Sequence, residues 1–253
     1  MKPPTRPPLL RVLLRLFTVQ GSWNYERMLG VGFGVAEEPL LRDLAGAGTR
    51  ARETPYREAV ARGSRFFNAH PYLCGLAVGA AARAENDGAP PAQIERLRTA
   101  LCGPLGSLGD TLVWAGWLPF TSAVALAAVA LGLGWWAVLG FLVIYNVGHV
   151  TLRSWALAAG WAHGLNVATA LRHPGLQRSG AVLGPAMALG MGAALPLVAS
   201  YLGGAFAAPL RLAIAVGVGG GVLLLRWSWL RLTGVRLGLV FLTVGLIVGL
   251  LWR

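Results

Sequence analysis

The residue types able to do chemistry in this chain are few, and they cluster. Asn68 and His70 stand in RFFNAHPYL (65–73), Asp110 and Thr111 close the segment GPLGSLGDT, and Asn146 and His149 stand in YNVGHVTLR. Gly103, Pro104, Gly106 and Gly109 precede Asp110, the last acidic residue of the chain. A carboxylate placed before an apolar run either caps a helix at its positive N-terminal end or faces a ligand from broken backbone, and the spacing leaves both open. Glycine-rich irregular backbone at membrane depth occurs only where protein or a water-filled cavity covers it, as in the half-helices that face transporter substrates. Amide, carboxylate, imidazole and hydroxyl groups of this kind suit recognition of a hydroxylated ligand better than bond breaking. No Ser, His and Asp constellation stands out, and neither HExxH nor the phosphate-cradling GxxxxGK[ST] occurs. No catalytic residue, metal or cofactor is therefore expected.

The elements that must position these groups belong to an integral membrane protein. Of 253 residues 55% are hydrophobic and 13% charged, with a mean hydropathy of +0.59, too apolar for an ordinary soluble domain. All ten acids lie at or before Asp110, and the eight arginines beyond it sit at the ends of apolar runs. Arginines so placed match anionic lipid headgroups rather than a nucleic-acid footprint, so no nucleic-acid partner is expected. Cys74 and Cys102 have neither metal-ligand nor disulfide-framework spacing and read as reduced packing residues. No small-residue cleavage site follows an apolar core near the N-terminus, which gives no sign of a removable signal peptide.

Read in order, the fold class is all-α and polytopic, with residues 1–100 a cytoplasmic or interfacial helical region and 101–253 a transmembrane domain that begins with GPLGSLGD. Residues 9–19 form a short helix with Arg11 and Arg15 four apart. It either lies in the membrane interface or docks on the protein's own surface. QGSWNYERM (20–28) is a polar-aromatic knot. Glu37, Glu38 and Pro39 predict a break, and Thr54 and Pro55 predict a helix start. Pro71 ends or bends that helix just after Asn68 and His70. Residues 71–82 are apolar but too short to cross, which makes them a re-entrant or half-span candidate. A turn over 84–93 and a short helix over 94–101 follow.

About five spans are expected, at 112–131, 135–150, 182–202, 206–225 and 235–251. Segments 151–180 and 226–236 carry three arginines each and read as cytoplasmic loops, with the N-terminus on the same side and Arg253 outside. Arg211 falls near the outer end of its span, where snorkelling explains it. Glycine pairs four apart (Gly160 with Gly164, Gly180 with Gly184, Gly217 with Gly221, Gly245 with Gly249) permit close helix packing.

QGSWNYERM, RFFNAHPYL and LCGPLGSLGDTLVW (101–114), in this order and spacing, resemble the signature segments of the IID subunit of the mannose, fructose and sorbose class of the bacterial phosphoenolpyruvate-dependent sugar phosphotransferase system, or PTS. The resemblance covers about residues 15–170. It implies a non-catalytic multi-pass subunit of the bacterial inner membrane that pairs with a IIC subunit in a trimer of IIC–IID pairs. Sugar of the mannose, fructose or sorbose class is held between the two, and IIB, charged by IIA and HPr, phosphorylates it, so the phosphohistidines lie on partners. By position, Gly109, Asp110 and Thr111, with Gly103 and Asn68, would bind substrate from a sugar-facing broken helix. Trp23, Asn24, Glu26 and His70 would form the supporting network. Relatives usually have a longer segment where this chain has only 201–209, and they often carry a Glu pair where it has Ala84, Glu85 and Asn86. These departures leave a transport-deficient regulatory or scaffold subunit as the alternative.

Overall fold

The computed structural model of the protein describes residues 7–45 and 50–203, and helix is the dominant structure among them. Their contacts divide them into two compact units, one of residues 7–45, 50–122 and 139–188, the other of residues 123–138 and 189–203. The expected spans at 206–225 and 235–251, with Arg211 and the loop at 226–236, lie outside the described residues, as do the glycine pairs at 217/221 and 245/249.

The first unit is built around helices that bury one another. Helix α1, Leu9–Leu16, buries Val12 and Leu16, and Val19 continues that stripe past its end. Its opposite stripe, Leu10, Leu14 and Phe17, is exposed. Helix α2, Gly30–Ala45, runs straight through Pro39, against the expected break. Proline removes the bond to the carbonyl four residues back, here that of Val35, and Arg15 from α1 donates to that carbonyl at 2.7 Å instead. Helix α3, Arg50–Gly63, contains Pro55 in its interior, so the expected start at Thr54 and Pro55 falls inside the helix. Glu38 joins all three helices, accepting hydrogen bonds from Arg15, Arg42 and Tyr56 at 2.6–3.1 Å. Burial alone would raise its pKa, but these donors hold it down at about 2.

Residues 71–82 prove to be the centre of this unit. Helix α4, Cys74–Asn86, is buried along nearly its whole length, Cys74 included, and packs on α2 and on the chain beyond 150. Its small residues explain the closeness: a Cβ on Gly79 would stand 2.6 Å from the Leu157 carbonyl oxygen. Arg62 and Glu85 form a bidentate pair at 2.8 Å with about a tenth of each side chain exposed.

Helix α5, Pro91–Gly109, continues through Pro104 into a π-helical stretch, Asp110–Trp117, and then helix α6, Leu118–Ala130. The segment before Asp110 is therefore neither a broken helix nor a capped start. Asp110 lies inside a continuous run, its N–H bonded to the carbonyls of Gly106 and Ser107. The wider turn places the Leu118 N–H on the Val113 carbonyl, directly before Pro119, whose ring would clash with an ordinary α-helical turn.

Helix α7, Trp135–His163, likewise overrides the expected loop from 151. A 3-10 stretch, Gly164–Arg172, leads to helix α8, Pro174–Gly203. Gly164 turns the chain with φ +50°. Two helical runs, Pro91–Ala130 and Trp135–Leu176, are long and apolar enough to cross a membrane.

Within the second unit, α6 ends in a tight turn whose Gly132 and Gly134 have φ +91° and +53°, and Trp135 and Trp136 stack after it.

Candidate functional site

A helical run through GPLGSLGD puts Gly103, Gly106, Ser107 and Asp110 at i, i+3, i+4 and i+7, on one face of α5. That face forms one wall of a cleft of about 450 Å³, within the usual range for small-molecule sites. Cβ atoms on Gly103 or Gly106 would meet nothing within 4 Å, so these glycines leave the cleft open rather than bend the chain.

The facing wall is the irregular segment after α3, with Asn68, His70 and Pro71 on the cleft. Several restraints hold it. Phe67 is fully buried against Phe33, with ring centroids 4.8 Å apart. The Leu29 N–H donates to the Phe67 carbonyl at 2.9 Å, and the Phe67 N–H to that of Arg27 at 3.2 Å. Arg98, buried on α5, donates to the carbonyls of Arg62, Gly63 and Arg65 at and just beyond the end of α3 and lies 4.4 Å from the Phe33 ring centroid. A cation on those orphan carbonyls complements the helix dipole.

His70 is 2% exposed. Its Nδ1 accepts the Tyr72 N–H at 3.2 Å, which leaves the proton on Nε2, and Nε2 has no protein partner. Burial lowers its pKa to about 4 despite the opposing pull of Asp110, so the ring is neutral. Gly109 is required behind it, because a Cβ there would run into the imidazole. Asn68 and Asp110 are exposed to the cleft, and Cys102 lines it half-buried.

The structure thus brings together Asn68, His70, Gly103 and Asp110. Gly109 packs behind them. Thr111 lies outside the lining, and its hydroxyl donates to the Ser107 carbonyl at 2.8 Å. The QGSWNYERM knot stands apart from the cleft. Asn24 folds its own turn by accepting the N–H groups of Glu26 and Arg27 at 3.1 and 2.9 Å, while Trp23 and Glu26 are exposed. Its link to the cleft is the short backbone pairing of Met28 with Phe67.

Sequence reasoning did not find a second cluster. Tyr72 stacks on His149 at 3.9 Å with 8° between the planes, and its hydroxyl meets that of Tyr145 at 2.7 Å. Arg153 is 3% exposed and donates to His149 Nε2 at 2.6 Å. The available signal was Tyr145, His149 and Arg153 at successive steps of four along one helix face.

Residues 5–212 match the family model of the IID component of the mannose/fructose/sorbose family of the PTS. Over 168 residues, 64% of this chain, it is 29% identical to the mannose-specific EIID component of Escherichia coli K12 and 32% identical to the sorbose-specific EIID component of Klebsiella pneumoniae. The matches cover 58% and 59% of those relatives, so the chain spans about three fifths of their length. A solved structure of the mannose transporter ManYZ with microcin E492 matches at a TM-score of 0.55 and 26% identity, over 76% of this chain and 70% of that one. Another, of a membrane protein, matches in fold at a TM-score of 0.64 and 21% identity over 97% of both chains. With the family model matched over most of its length, the chain belongs to the IID components of the mannose/fructose/sorbose family of the PTS.

Proposed function

We propose that this chain is the membrane IID subunit of a sugar permease, which with a IIC partner binds a hexose-type sugar and carries it inward for phosphorylation by IIB. The observation that supports this most is the cleft itself. An amide, a carboxylate and a neutral imidazole converge on a cleft of about 450 Å³, and such groups hydrogen-bond hydroxyls. In this reading Asp110 and Asn68 bind sugar hydroxyls, Gly103 gives the ring room, and Gly109 keeps His70 in place. His70 is not a phosphoacceptor, since one ring nitrogen accepts a backbone N–H and the other is buried. The phosphohistidines belong to IIA, IIB and HPr, the assembly is a trimer of IIC–IID pairs, and the subunit sits in the inner membrane with its N-terminus cytoplasmic.

Labelled-hexose uptake in cells rebuilt with the partner subunits tests the reading. Asp110→Asn combined with Gly103→Leu, whose side chain enters open cleft, is expected to abolish uptake at unchanged membrane abundance. Uptake equal to that of the parent would remove the cleft from the sugar path.

A further inference from the structure

Arg153 is a cation in a part of the chain that has no acid to pair with. It belongs to a membrane-length run and is almost fully buried, a placement costly enough to be kept only with well-made partners. Those partners are specific. Nε donates to His149, and Nη1 donates to the carbonyl of Leu16 at the C-terminal end of α1, where the helix dipole favours a cation. The guanidinium also lies 5.3 Å from the Phe17 ring centroid and 4.7 Å from that of Tyr72.

Tyr72 carries the connection to the cleft. Its ring stacks on His149 and lies against Arg153, and its N–H donates to His70 Nδ1. The cation is therefore two contacts from the cleft wall. It also fixes the end of α1, the helix whose second apolar stripe is exposed. A well-packed apolar side chain would fill such a site at no greater cost in stability, whereas the fork of a guanidinium fixes three elements in one geometry.

We propose that Arg153 is a positioning residue of the cleft, clamping the Tyr72 and His70 wall to α7 and to the end of α1. The clamp rests on the hydrogen bonds and ring contacts of Arg153, and only its effect on sugar affinity rests on the permease reading.

Cys102 is a native reporter, because it lines the cleft while Cys74 is fully buried. In membranes containing the full chain with its partner subunits, the rate of Cys102 alkylation by N-ethylmaleimide reports wall position. The concentration of mannose, fructose or sorbose giving half-protection reports affinity. Arg153→Met is expected to speed alkylation and raise the half-protecting concentration by between about tenfold and about a hundredfold, the usual consequence of a displaced positioning group. Arg153→Lys should recover part of the loss. Phe17→Leu, which keeps the cation and its hydrogen bonds, should shift both readouts in the same direction by less. Parent-like rates and midpoints in both Arg153 variants would overturn the proposal. If Cys74 also becomes reactive in those variants, the chain has opened generally and Phe17→Leu decides: parent-like behaviour there overturns the clamp. If no sugar protects Cys102 in the parent, the permease reading fails, while the alkylation rates still decide on Arg153.

Discussion

Glu37 and Arg98 are both buried in the first unit, yet no hydrogen bond joins them. Arg98 gives its donors to three carbonyls at the end of α3, and Glu37 Oε2 has no partner. Burial pushes the Glu37 pKa up to about 8, against the attraction of Arg98 and with some help from Glu85. Its folded pKa thus lies above the unfolded value of about 4.5. The stability it contributes is complete below that value and is lost as pH rises through about 8. Glu37→Gln should therefore melt with the parent in detergent at pH 5 and several degrees above it at pH 9. An equal shift at both pH values would rule out ionisation as the cause. Arg62 and Glu85, by contrast, are joined directly as a bidentate ion pair. Arg62→Met strands a buried carboxylate and should cost about 3–5 kcal/mol in thermal or denaturant unfolding. Both buried charges near α3 were legible in principle: Glu37 shares a helical stripe with Phe33, Leu40 and Leu41, and Arg98 one with Ile94, Leu101 and Leu105. Arg153 was hidden for another reason. An arginine beside an apolar run is ordinarily a marker of the cytoplasmic side, and only the return of α1 to α7 shows that this one is buried.

At the scale of elements, the glycine pairs separate into those that make contacts and those that do not. Gly160 lies on α4: a Cβ there would run into the Leu76 carbonyl, and Gly79 meets α7 from the other side. Gly164, four residues on, turns the chain instead, and Gly184 has nothing within 4 Å. Gly160→Ala should destabilise the protein by about 1–3 kcal/mol through overpacking, and Gly184→Ala should stabilise it by about 0.5–1 kcal/mol, read as melting temperatures in one detergent. Helix propensity alone favours Ala at both positions, so a gain at Gly160 like that at Gly184 would mean that the α4 contact does not set the cost. The same scale explains where the sequence misled. Gly103, Pro104, Gly106 and Gly109 predict a break, yet the helix continues through them with Leu101, Leu105 and Gly109 buried on one side. At Pro39 an arginine from α1 takes the freed carbonyl, and before Pro119 the π-helical turn makes room. The cleft was legible because its polar residues belong to two short motifs, RFFNAHPYL and LCGPLGSLGDTLVW. Its shape was not, since the glycines serve as a flat face at helical spacing and not as a hinge.

For the molecule as a whole, the charge pattern makes a claim about sidedness. The run Pro91–Ala130, long and apolar enough to cross a membrane, is charged at one end only. The charged end is the front, where Glu95, Arg96 and Arg98 lie within the first turns, whereas residues 118–134 carry no charge. Burial of Arg153 removes one of the arginines that mark the cytoplasmic side, but Arg172 and Arg178 are exposed and still mark it. Gln93 is accordingly expected in the cytoplasm and Leu133, exposed in the uncharged turn after α6, outside. In intact cells lacking the native reporter through Cys102→Ser, a membrane-impermeant maleimide should label Leu133→Cys and spare Gln93→Cys until the cells are opened. The reverse pattern would invert the subunit and overturn the orientation drawn from the charges.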